Sequence, residues 1–241
     1  MRFPFSTVVL ILAGMAGLFL AGAEARDRSF AFVDPAGIDL RFLGDPPGSA
    51  EERAEIGTLL FLQNGRTPEA AARIAAEGNP TLDAFSGAVG PWCVAASLPK
   101  TAALLASVRA DVERVAQRGK GMWGRTLPAR EDRRIHPSAA LPPGSSYPCT
   151  VAAVGTVWGF VLGELVPDAR PKLFQRAAEI GDDQTLGGLC YPSDVVAGRK
   201  LGVEFTRLLL ADPGFQAALA EVRAEVAAVS KAVSAPAPAK P

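Results

Sequence analysis

Three short segments of this chain gather side chains able to do chemistry. Lys120-Gly-Met-Trp-Gly-Arg-Thr-Leu127-Pro128 carries an amine, Ser146-Tyr-Pro148-Cys149-Thr150-Val151 a thiol and a hydroxyl, and Asp183-Gln184-Thr-Leu-Gly-Gly-Leu-Cys190-Tyr-Pro-Ser-Asp194 a second thiol between carboxylates. A lysine is a compact positive charge for an anion, and a thiol is a nucleophile only as its thiolate. The sequence has a single histidine, His136. Two imidazoles therefore cannot divide acid and base work between them, and a lone histidine without a metal-spaced partner makes no zinc site. His136 stands in a basic stretch with Arg130, Arg133 and Arg134. Two readings are open for it: a loop folded over the three segments, bringing cations and an acid, or a solvated surface loop.

The order and internal spacing of the segments resemble the bacterial class A non-specific acid phosphatases, within the type 2 phosphatidic acid phosphatase and vanadium haloperoxidase superfamily. That signature runs Lys, six residues, Arg-Pro; then Pro-Ser-Gly-His; then Ser-Arg, five residues, His, three residues, Asp. The similarity covers roughly residues 45 to 210, with Gly65-Arg-Thr-Pro-Glu69, Leu98-Pro-Lys-Thr-Ala-Ala103 and Gly202 as further family-like positions. In the family the last-motif histidine attacks phosphorus, the following aspartate orients it, the second-motif histidine protonates the leaving alcohol, and lysine and two arginines hold the phosphate oxygens.

Carried over residue by residue, Lys120, Pro128, Pro148 and Asp194 match. Leu127 stands where the first arginine is expected, Cys149, Thr150 and Val151 replace Ser-Gly-His, Asp183 and Gln184 replace Ser-Arg, and Cys190 takes the place of the nucleophilic histidine. Val151 carries no proton, and two lost guanidinium contacts are worth about 1.5–3 kcal/mol each. Phosphoryl transfer depends on positioning and charge stabilisation. The resemblance therefore implies a secreted acid phosphatase homologue with impaired catalysis and a binding or structural role. The alternative is a phosphomonoesterase using Cys190 or His136. A third reading reuses the old cavity, lined by Leu127, Val151, Leu189, Asp183 and Asp194, for an unidentified neutral or cationic small molecule.

Further expectations follow from the resemblance. Lys120 is expected as a pocket remnant or a salt-bridge partner of Asp194 or Asp183 rather than a working phosphate ligand, and Asp194 raises the thiol pKa of Cys190. Cys149 and Cys190, facing one pocket, are candidates for a disulfide. No metal and no cofactor are expected.

The elements that must hold these residues read as helices. Ser49-Ala-Glu-Glu52 predicts a capping box, and Thr67-Pro68 opens a second helix ending near Glu77-Gly78. Leu104, Leu105, Val108, Val112 and Val115 recur at helical spacing after Pro99. Residues 129–147 lack a period and read as a long loop, the kind that tends to be functional. Cys149 to Val166 is apolar on nearly every face, which predicts a buried central helix. Helices follow over Asp168 to about Gly181, Ser193 to Leu210, and from Asp212-Pro213 to about Lys231. No alternating strand pattern appears, so the expected class is all-α, one multi-helix domain.

Composition limits the rest. Acidic and basic residues balance at 25 each, which removes the electrostatic case for nucleic acid or an anionic membrane surface. Arg2 followed by the apolar run Val8 to Leu20 and small residues at Ala21 to Ala25 reads as a signal peptide over residues 1–25, sending the chain to the periplasm or outside. No membrane span is expected after its cleavage. The helical domain is expected over residues 26–232, and Ala235-Pro-Ala-Pro-Ala-Lys-Pro241 gives a Pro/Ala-rich tail within 233–241. Three cysteines are too few for a disulfide scaffold. Self-association is left open.

Overall fold

The computed structural model describes residues 30–234, so the expected signal and the tail from Ala235 onward lie outside the described residues. The longer helices are α1 (Ser49–Gly65), α2 (Pro68–Glu77), α3 (Pro99–Trp123), α4 (Thr150–Leu165), α5 (Arg170–Leu186), α6 (Pro192–Ala211) and α7 (Pro213–Ser234). Among the described residues there is no strand. The fold is all-α, as the periodicity predicts.

The apolar run behind Pro148 becomes α4, and its position follows from its composition. Ala152, Ala153, Val157 and Val161 are wholly buried, and only Thr150, Val151, Thr156, Phe160 and Glu164 keep partial exposure, because α3, α5 and α6 surround it. Helix α7 closes the far side against α3 and α6. Trp158 crosses from α4 to α3, where its indole N–H donates to the Leu105 carbonyl at 3.1 Å and leaves no buried donor open. On the outer side of α3, the buried Asp111 carboxylate accepts from the backbone N–H groups of Ala31, Phe32 and Val33, tying the first described residues to the domain.

Several boundaries depart from expectation. Ser49 lies inside α1, and its side chain does not cap: the preceding Gly48 is the N-cap, and Glu52 reaches instead to Arg125 at 3.2 Å. A buried guanidinium outbids an exposed amide for that carboxylate. Thr67 does cap α2, accepting from the Ala70 N–H at 3.2 Å. Residues Pro128–Glu131 form a short helix at the start of the expected loop. Helix α5 continues five residues beyond Gly181. That glycine is no terminator: a Cβ there would meet the Arg199 guanidinium at 3.0 Å and the Val195 side chain at 3.2 Å, so its lack of a side chain serves the α5–α6 contact.

Gly198 and Gly202 do the same between α6 and α4. A Cβ on Gly198 would lie 2.3 Å from the Cys149 carbonyl oxygen, and one on Gly202 would lie 2.8 Å from that of Ala153. This close approach sets the start of α4 on the first half of α6. It brings two of the three chemical segments together.

Candidate functional site

The segments converge on a cavity of about 440 Å³, inside the range of about 300–1,000 Å³ common for small-molecule sites. Lys120 comes from the last turn of α3, Cys149, Thr150, Val151 and Val154 from the start of α4, Gln184 from the end of α5, and Leu189 and Cys190 from the turn before α6. Arg109, Glu113 and Gln117 extend the wall along α3, and Pro142 and Pro143 bring the loop to the rim.

Lys120 donates from Nζ to the Ser145 carbonyl at 2.7 Å. An ammonium has three donors, so that contact alone leaves it capacity for a ligand. The expected ion pair from Lys120 to Asp194 or Asp183 is not formed. Asp194 is completely buried and takes Arg125 instead, Nη1 to Oδ1 at 2.7 Å, while its other oxygen accepts the Tyr191 N–H at 2.8 Å. Asp183 is held by Arg73 through two contacts of 2.7 Å. Neither carboxylate lines the cavity. The expected acidic lining, and the preference for a cationic ligand drawn from it, are therefore corrected. Each carboxylate was claimed by an arginine from a distant part of the chain.

Arg125 organises the ground behind the cavity. Its side chain is 4% exposed and contacts Glu52, Glu55, Asp194 and the Ser193 hydroxyl, with its guanidinium carbon 3.8 Å from the centre of the Tyr191 ring. Burial lifts the Asp194 carboxyl above its ordinary value, and Arg125 and the Tyr191 amide offset only part of that. An arginine displaced by two positions from the expected motif site, Leu127, was the available signal for this role. Leu127 itself is buried and outside the cavity lining.

Of the lining charges, Arg109 and Glu113 form an ion pair at 2.6 Å and cancel, leaving Lys120 as the net positive charge. Gln184, only 2% exposed, carries a buried Nε2 with no acceptor. Opposite these donors, Val151, Val154, Leu189, Pro142 and Pro143 give an apolar wall. The arrangement suits a small molecule with an acceptor-rich or anionic end and an apolar body.

The two thiols meet in the cavity wall. Cys149 and Cys190 are both free and buried, and they pack in one small cluster with Ala152 and Val195. Burial pushes the Cys149 thiol up, but the hydrogen bonds from Cys190 and the Ala152 amide outweigh it, and Lys120 adds to them; the result lies below the ordinary thiol value. Cys190 moves well above it, through its bond to Cys149, burial, and the charges of Cys149 and Asp194. The expected rise for Cys190 is present, though Asp194 is its smallest upward cause. The expected disulfide is not formed in the structure.

His136 does not reach the cavity. It is exposed, its N–H donates to Gln63 and its carbonyl accepts from Arg66, both at 2.6 Å. Arg134 pairs with Asp132 on the surface. The loop thus supplies the rim through its prolines and keeps its histidine and arginines outward. Among the described residues no cluster of three or more metal-ligating side chains occurs, and no helix is long and apolar enough to cross a membrane.

No protein-family model matches the chain. It is 43% identical to the non-specific acid phosphatase of Salmonella typhimurium over 82 residues, which is 34% of this chain and 32% of that protein. The corresponding protein of Salmonella typhi is 40% identical over the same shares. Both matches thus span about a third of the Salmonella proteins' length. The non-specific acid phosphatase of Providencia stuartii is 26% identical over 262 aligned residues, covering 90% of this chain and 99% of that protein. The chain is thus similar to non-specific acid phosphatases, at 26% identity over most of its length and at 40–43% over about a third of it.

Proposed function

We propose that this protein uses the cavity beside Lys120 to bind a small anionic molecule with an apolar body, and that it is impaired in phosphomonoester hydrolysis. The observation that carries the reading is the cavity lining: it has no imidazole, its one carboxylate is tied to Arg109, and its only unpaired cation is Lys120. Hydrolysis needs a nucleophile, an acid for the leaving oxygen, and cations around the transferring group. Here a thiol could attack, but nothing beside it is suited to protonate the alcohol. Retention of Lys120, together with the unpartnered Nε2 of Gln184, supports binding without turnover.

A second reading, an acid phosphatase with altered residues, is favoured by the names of the relatives and by one local feature. Cys149, at the N-terminus of α4 and near Lys120, is the more ionisable thiol and would replace Cys190 or His136 as its nucleophile. One assay separates the two. Purified protein is incubated with p-nitrophenyl phosphate across acidic pH, and melting is followed with phenyl phosphate. The binding reading expects release no faster than a blank, with a rise in Tm that Lys120→Ala abolishes. Turnover lost in Cys149→Ser would establish the second reading and remove the first.

The same reading makes the protein an exported one. Arg2 and the run Val8 to Leu20 support it. N-terminal sequencing of the mature chain checks it: a start near Glu24 to Arg26 is expected, and retention of Met1 would refute it.

A further inference from the structure

The paired thiols are chemistry that ligand binding does not use. Cys149 is the N-cap of α4, so its side chain lies at the positive end of a sixteen-residue helix. Cys190 packs in the same buried cluster as Cys149, from the turn ahead of α6. Both line the cavity, whereas Cys93 is buried in the main core and does not. Their backbones are anchored: the Cys149 N–H donates to the Asp194 carbonyl at 2.9 Å and the Cys190 N–H to the Gln184 carbonyl at 3.2 Å. The close contact at Gly198 holds the start of α4 against α6. Two cysteines packed in one cluster at a cavity wall form a site that a lone cysteine does not.

We propose that Cys149 and Cys190 are a thiol–disulfide exchange site that reduces a small disulfide entering the cavity. The Cys149 thiolate attacks one sulfur of the substrate, forming a mixed disulfide and expelling the first thiolate, which takes a proton from water. Cys190 then gives up its proton, attacks the Cys149 sulfur and expels the second thiol. The protein pair is oxidised by two electrons, the substrate disulfide is reduced to two thiols, and the product is a Cys149–Cys190 bond. Attack by the more ionised thiol and resolution by its neighbour is the usual division of labour in such exchange. The inference stands apart from the binding and hydrolysis readings, since it requires neither Lys120-bound anion nor phosphate chemistry.

Reduced, full-length protein is incubated under native conditions with oxidised glutathione, quenched by alkylation and analysed by intact mass and peptide mapping. The wild type is expected to lose two of its three free thiols, release two glutathione molecules per chain, and yield a single cross-linked peptide pair containing Cys149 and Cys190. Cys190→Ser is expected to stop with one glutathione on Cys149, and Cys149→Ser to give no cross-link. Retention of all three thiols in the wild type, or a cross-link through Cys93, would overturn the proposal. Should either serine variant fail to fold, the wild-type peptide map decides by itself between these outcomes.

Discussion

Replacing Arg125 with methionine should cost this protein far more than the loss of one ion pair at its surface. The guanidinium is 4% exposed and faces three carboxylates, of which Asp194 is completely buried while Glu52 and Glu55 retain 25% and 14% exposure. Methionine fills much of the volume and keeps contact with the Tyr191 ring. Glu52 and Glu55 can turn to water, but Asp194 cannot. Breaking a buried pair by removing one partner costs about 3–5 kcal/mol, chiefly the uncompensated charge left behind. For a domain of this size that lowers Tm by something on the order of 10 °C.

The sign of the pH dependence follows from Asp194. Its folded-state pKa already stands above the ordinary 3.8 because of burial, and Arg125 holds it down. Removing Arg125 raises it further. A carboxyl with a raised folded pKa favours the folded state at pH below its unfolded value, and that advantage is lost as pH rises through the folded value. The Arg125→Met deficit should therefore be largest near neutral pH and shrink on acidification, as Asp194 protonates in place. Urea unfolding of wild type, Arg125→Met, Asp194→Asn and the double variant at several pH values measures this. The double variant should lose less than the sum of the single losses. A deficit below about 1 kcal/mol, or one independent of pH, would refute the assignment of Arg125 as the charge partner of Asp194.

Gly198→Ala would place a carbon 2.3 Å from the Cys149 carbonyl oxygen, so α6 must move off α4. The expected cost, seen as a lowered melting temperature, is about 1–3 kcal/mol, with slower Cys149–Cys190 cross-linking as a second readout. Asp111→Asn removes the anionic acceptor of the Ala31, Phe32 and Val33 amides; hydrogen exchange at those amides should accelerate while core amides of α4 change little. Cys93 is pushed up to about 11 by burial, with Asp83 adding to it, whereas Cys149 lies below its ordinary value. Since only the thiolate reacts, iodoacetamide at mildly alkaline pH should modify Cys149 before Cys93; peptide mapping after brief labelling checks the order.

The sequence by itself determined the helices and part of the cavity lining, since Leu127, Asp183 and Asp194, also expected there, lie outside it. Continuous apolar character from Cys149 to Val166 could be satisfied only by burial on all sides, and the structure places α4 there. Lys120, Cys149, Thr150, Val151, Gln184 and Cys190 were expected at one pocket from the family resemblance of the three motifs, and they line one cavity. Charge partnership was not legible in the same way. Asp194 and Arg125 are 69 positions apart, and Asp183 and Arg73 are 110 apart. Which cation reaches a carboxylate depends on how α1, α2 and the residues after α3 are laid against α5 and α6. Only that packing withdrew both aspartates from the cavity and left it net positive. Gly181 and Gly198 make the same point, since a glycine's spacing in sequence does not reveal whether it ends a helix or admits another backbone. Local periodicity is written in neighbouring residues, whereas electrostatic pairing over a few ångströms is written in the tertiary arrangement.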